Sequence, residues 1–111
     1  MLVCVDPDLS DQEKDVAGVP DVFDWVDETD AKGIRLIGDR IRPESDATTV
    51  RVRGGQVLLT DGPYVETQDL IAAFDVLECA DLDEAVAVAS RHPMSWQGVI
   101  ELRPFWVDGQ D

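Results

Sequence analysis

Residues 48–60 read TTVRVRGGQVLLT, and this stretch decides the fold. Val50 and Val52 alternate with Arg51 and Arg53, the period of two that gives a strand one apolar and one polar side. Gly54-Gly55 supplies a two-residue turn, and residues 57–60 return. The segment is a β-hairpin, and Asp61-Gly62-Pro63 turns the chain at its end.

On the N-terminal side, Leu2-Val3-Cys4-Val5 is a short apolar run ended by Asp6-Pro7 and reads as a strand. Residues 6–17 are polar without a clean period, the pattern of a mobile connection. A helix is predicted from Pro20 to Lys32, with Val19, Val22, Phe23 and Val26 forming one apolar stripe. Asp21 and Asp24 suit the positive end of its dipole and Gly33 its stop. Trp25 falls off that stripe, toward a partner or a neighbouring loop. Ile34 to Ile41 reads as a second strand, closed by Arg42-Pro43.

On the C-terminal side, LIAAFDVLEC, residues 70–79, is apolar apart from Asp75 and Glu78 and reads as a central strand. Asp81 caps a further helix, Glu84 completes a capping box, and Leu82, Ala85, Val86 and Ala89 form its apolar face. Arg91 and His92 occupy the last turn, where positive charge is favoured, and Pro93 stops it. Val99 to Arg103 is the last strand. Residues 107–111 read as a disordered tail.

The order is strand, helix, strand, hairpin, strand, helix, strand. Without the hairpin this is the βαββαβ pattern of a ferredoxin-like α+β fold, in one domain over residues 1–111. The first and third strands of that pattern scarcely alternate, so both of their faces call for cover. Two helices cover one side only. A homodimer with sheet packed on sheet is therefore expected.

Composition narrows the partners. Twenty-four acids against nine bases give a net charge of −15, which repels phosphate backbones and argues against nucleic acid. No apolar run approaches the roughly 20 residues that span a bilayer, and no leader pattern is evident, so a cytoplasmic protein is expected. Cys4 and Cys79 lie in apolar runs and read as two buried thiols acting as small hydrophobes, a disulfide being the lesser alternative in a reducing compartment. One histidine and scattered carboxylates make no metal site by spacing.

Two readings stand for TDGPYVET, residues 60–67. Asp61 before Gly-Pro is turn chemistry, bonding its own backbone. Surrounded by Tyr64, Glu66 and two threonines, it is also a candidate acid or base, a reading that ranks behind the turn on the residues alone. Asp75, between Phe74 and Val76, is costly if buried and unpaired. Its expected partner is Arg103 or an arginine of the hairpin, either as a structural interface charge or in a polar pocket with Asp61 and Tyr64.

The run ATTVRVRGGQVLLTDGPYVET, residues 47–67, resembles the signature of the YCII-related family in its DGPF-motif branch. Phe74, the Asp-Leu-Asp-Glu-Ala start at residues 81–85, Arg91-His92-Pro93, and Glu101, Arg103 and Pro104 extend the resemblance over about residues 33–106. It implies a dimeric α+β barrel. It also implies a His–Asp acid/base pair in a cleft, as proposed for the wider family, and association with sigma-factor-type regulators. Asp61 matches the motif's acid. The sequence departs at Tyr64 for Phe, at Gln68-Asp69 for Lys-Glu, at Ala72-Ala73 for Gly-Gly and at Asp75 for an aromatic. Val22 and Phe23 stand near the place of a helix histidine that some members carry. The expected function is binding of a small molecule or a regulatory partner in a cleft near the DGPY loop, with Asp61, Tyr64, Glu66, Asp75 and Arg103 as site residues. Two alternatives stand beside it. One is a cofactor-free lyase or isomerase using Asp61 with water or Tyr64, and the other is a structural dimer with a decayed site.

Overall fold

The structure is a computed structural model that describes residues 1–63 and 71–107. Strand β1 (Leu2–Cys4) leads to a short helix α1 (Asp11–Lys14) and then to α2 (Val22–Ala31). Strand β2 (Arg35–Arg40) and a single 3-10 turn (Glu44–Asp46) precede the hairpin β3 (Thr48–Arg53) and β4 (Gln56–Asp61). The chain closes with β5 (Ile71–Leu77), α3 (Leu82–Ser90), α4 (Met94–Gln97) and β6 (Val99–Glu101). None of these helices is long and apolar enough to cross a membrane.

The main sheet has the order β2-β5-β1-β6, every pair antiparallel. The two long helices each follow one strand and precede another, so the topology is ferredoxin-like with β3–β4 inserted as a separate two-stranded sheet. Gly54 and Gly55 both have positive φ, 58° and 78°, as the tight turn between Arg53 and Gln56 requires.

Local chemistry sets the helix starts. Asp21 accepts from the backbone N–H groups of Phe23 and Asp24, and Asp81 accepts from that of Glu84 at 2.8 Å. Residues 6–17 differ from the expected connection: Ser10 and Glu13 form a reciprocal capping box that nucleates α1. Gln97 of α4 donates to the Lys14 carbonyl at 3.1 Å and ties the two short helices together.

The core is set by a helix phase different from the expected one. On α2 the buried residues are Trp25 and Thr29, whereas Phe23 is 73% exposed. The helix begins at Val22, after the Asp21 cap, so Val19 lies outside it and the inward stripe runs Val22, Trp25, Val26, Thr29. Trp25 is core, not a partner-facing residue. On α3 the inward positions are Ala85, Val88, Ala89 and, just beyond the helix, His92, while Leu82 and Val86 face outward. The indole N–H of Trp25 donates to the Val88 carbonyl at 2.9 Å and joins the two helices. Val3 of β1 completes this core from the sheet.

Register separates the two faces of the sheet. Val3 pairs with Ala73 and with Ile100 on the helix side. Leu2 pairs with Phe74, and Ile37 with Val76, on the other side. Ile37 and Phe74 are exposed there, and Leu2 and Val76 half-buried. The helices therefore leave one apolar sheet face open.

Candidate functional site

Asp75 sits at the centre of β5 and is buried. A carboxylate there requires compensation, because an unpaired buried charge costs several kcal/mol. Arg35, on the neighbouring strand, supplies it: Nε donates to Asp75 Oδ1 at 2.8 Å. The same guanidinium donates to both carboxylate oxygens of Asp30 at 3.2 and 3.3 Å and to the Gly38 carbonyl at 2.7 Å. The Asp75 hydrogen bond is the main reason the Arg35 pKa is raised, against desolvation. The partner of Asp75 is thus neither Arg103 nor a hairpin arginine. A register shift between Arg35 and Ile37 brings Arg35 onto the helix side, beside Asp75. Gly38, paired with Asp75, is obligatory for the cluster, since a Cβ there would meet Asp75 Cγ and the Phe74 carbonyl oxygen, each at 2.7 Å.

His92 is buried, and its ring meets that of Trp25 edge to face, with centroids 4.7 Å apart. The backbone N–H of Met94 donates to His92 Nδ1 at 3.0 Å. That bond assigns the remaining proton to Nε2. Desolvation holds the imidazole pKa below its ordinary value of 6.5, with the Asp75 charge partly opposing the shift. His92 is therefore a neutral ring within the fold, and not the solvated cation expected at a helix end.

These groups share a cavity of about 360 Å³ between α2 and the sheet, lined by Val22, Phe23, Trp25, Val26 and Ala73 together with Arg35, Asp39, Arg40, Asp75 and His92. The volume lies at the lower end of the range of ligand pockets, about 300 Å³ upward. Not all its polar groups are already engaged. The Arg40 side chain is exposed and enters no ion pair among the described residues. His92 Nε2 is the ring nitrogen left to the cavity. One Asp39 carboxylate oxygen accepts from the Arg40 backbone N–H at 2.8 Å.

The site residues expected from sequence are not gathered in one place. Asp75 lines the cavity. Arg103 lies on the surface, with Nε 2.9 Å from Glu101 Oε2. Asp61 is exposed at the end of β4, paired with Thr48 across the hairpin. The Asp-Gly corner itself is fixed by Gly62, whose N–H donates to the Ala47 carbonyl at 2.8 Å and whose carbonyl accepts from Thr49 Oγ1 at 2.7 Å. Tyr64 and Glu66 lie outside the described residues. Sequence reasoning missed Arg35, Gly38 and Arg40. The available signal was Asp75 itself, which demands a cation on an adjacent strand.

Cys4 and Cys79 are both thiols. Burial, then the nearby Glu84 and Asp81, push the Cys79 thiol up and keep it unreactive. Trp96 donates to the Ser90 carbonyl at 3.0 Å, a packing contact, while Trp106 is exposed. Among the described residues, no cluster of three or more His, Cys, Asp or Glu could hold a metal ion.

These features define an α+β domain of ferredoxin-like topology with a half-apolar cleft under its first long helix. The family model described as the YCII-related domain matches residues 1–107, and the chain belongs to that family. An uncharacterized protein of Rhizobium meliloti (strain 1021) is 35% identical over 69 residues, 59% of this chain and 54% of that relative. The match thus spans about half of the relative's length.

Proposed function

We propose that the protein binds a small molecule with an apolar body and an acceptor group, a carboxylate or phenolate, in the cleft between α2 and the sheet. One observation carries this reading. The cavity walls are Val22, Phe23, Val26 and Ala73, and two donors, the Arg40 guanidinium and the His92 Nε2–H, are left to it beside the Asp39 carboxylate. Two donors at an apolar cavity select an acceptor, and a guanidinium prefers a planar, bidentate one. Asp75 is a positioning residue here: neutralised by Arg35, it orders the cleft wall.

The active species in this reading is a homodimer, sheet against sheet. Helices cover one face of the four-stranded sheet, while Ile37 and Phe74 stay exposed on the other. A second copy is the simplest cover for such a face.

The test is a thermal-shift and calorimetric comparison of wild type, Arg40→Ala, His92→Asn and Asp61→Asn against benzoate, hydroxybenzoates and branched aliphatic acids. A compound that stabilises wild type and Asp61→Asn, but loses about tenfold in affinity with Arg40→Ala, supports the cleft, one strong hydrogen bond being worth roughly that factor. A ligand bound equally by wild type and Arg40→Ala defeats it. A ligand lost with Asp61→Asn alone moves the site to the hairpin corner and revives the acid/base reading of Asp61.

A further inference from the structure

One face of the hairpin β3–β4 carries Val50, Val52, Val57 and Leu59, because Val50 pairs with Leu59 and Val52 with Val57, with the Thr48–Asp61 pair at its open end. These side chains are 61, 56, 65 and 68% exposed. Thr49 alone in the two strands is even half-buried. The opposite face carries Arg51, Arg53, Gln56 and the two threonines Thr49 and Thr60, with Leu58 its one large apolar side chain. A two-stranded ribbon is marginal in water unless its apolar face is covered, and none of the described residues covers this one.

We infer that the hairpin is a clasp, its apolar face docked on a second copy of this chain. The inference rests on the homodimer reading above and adds the element that holds the two copies together. Three observations select a second copy as the occupant. First, the chain exposes 8395 Å², against about 6,100 Å² expected for a folded monomer of this mass. A folded chain with so much more surface than its mass requires has apolar area left for a partner, on the scale at which stable homodimers form. Second, the edge strand β2 offers matching apolar surface, with Leu36 and Ile37 both exposed. Third, charge is complementary. Residues 48–61 hold two arginines and one aspartate, net +1, within a chain of net −15, so the ribbon is attracted to the body of another copy. Two-fold symmetry gives each copy one clasp and one receiving surface, a closed arrangement that stops at two.

Analytical ultracentrifugation of the full chain tests this, comparing wild type, the double variant Val50→Gln/Leu59→Gln, and Phe74→Gln on the open sheet face. Both hairpin positions are exposed within one chain, so the protomer fold survives, as far-UV circular dichroism will verify. The expected result is a wild-type dimer and a double variant whose dissociation constant rises about a hundredfold or more, from two apolar side chains left in water per copy. A double variant as dimeric as wild type overturns the clasp and leaves sheet packing standing if Phe74→Gln dissociates. A wild type that is monomeric at 100 micromolar, on the order of a hundred times a micromolar dissociation constant, overturns both. If the double variant misfolds, hydrogen exchange of wild type across a dilution series decides. Amides of residues 50–59 that lose protection as the dimer dissociates support the clasp, and protection independent of concentration refutes it.

Discussion

Arg35 Nε and Asp75 Oδ1 stand 2.8 Å apart on adjacent strands, both largely withdrawn from water. Asp75 has lost its solvent, and Arg35 replaces it while also holding Asp30 at the end of α2. The pair therefore joins helix to sheet, and its value is structural order at the cleft and not net stability alone.

Breaking one side of this pair should be worse than removing both. Arg35→Met leaves a buried carboxylate uncompensated and is expected to cost about 3 kcal/mol or more by urea denaturation. Arg35→Met/Asp75→Leu should cost less than the sum of its single changes, since an apolar pair of similar volume pays no desolvation. Additive losses would show that the two side chains do not interact.

Gly38→Ala is expected to destabilise by about 1–3 kcal/mol, the usual range for overpacking, because the added methyl meets both Asp75 Cγ and the Phe74 carbonyl. Ala replacing Gly in a strand would otherwise gain slightly. A melting temperature that rises with this substitution would contradict the close approach.

The pH dependence follows from His92. Its folded pKa lies below the ordinary 6.5, so the unfolded chain binds the proton more readily. Stability from this group is complete above pH 6.5 and falls as pH drops from 6.5 toward the lower folded value. His92→Asn keeps an acceptor for the Met94 N–H without a titrating ring. Its thermal stability should be flatter than wild type between pH 6.5 and 5.5, where no other histidine titrates. Identical slopes in the two proteins would refute a buried neutral imidazole.

Trp25→Phe removes the indole donor to the Val88 carbonyl and part of the ring that His92 meets. The expected loss is about 2 kcal/mol, within the range for a buried hydrogen bond broken on one side. Chemical denaturation with unchanged m-value checks it. A neutral substitution would show that packing alone holds α2 to α3.

Much of this was legible in the sequence. Gly54-Gly55 fixed the hairpin, Asp81 with Glu84 fixed the start of α3, and the strand order followed from the spacing of apolar runs. Helix phase was not. In α2 and in α3 two stripes of acceptable hydrophobicity run side by side, and only packing between the elements, such as the Trp25 bond to the Val88 carbonyl, decides which one turns inward. The missing short helices have a related cause. Four residues cannot display a period, so α1 and α4 are marked only by their caps and contacts. The cleft was half legible. Asp75 announced a buried charge, but which cation answers it depends on a register shift in β2 that no local pattern encodes. Asp61 shows the opposite case: a conspicuous motif acid that stands exposed at the end of β4.

Positions 35, 38 and 75 are locked to one another by geometry: a carboxylate at 75 needs the guanidinium at 35, and both need the missing side chain at 38. Such a triplet cannot drift one residue at a time without passing through a destabilised intermediate. The three sites should therefore be inherited as a block, so that chains with an uncharged residue at 75 are released from glycine at 38 and free to build a different cleft wall.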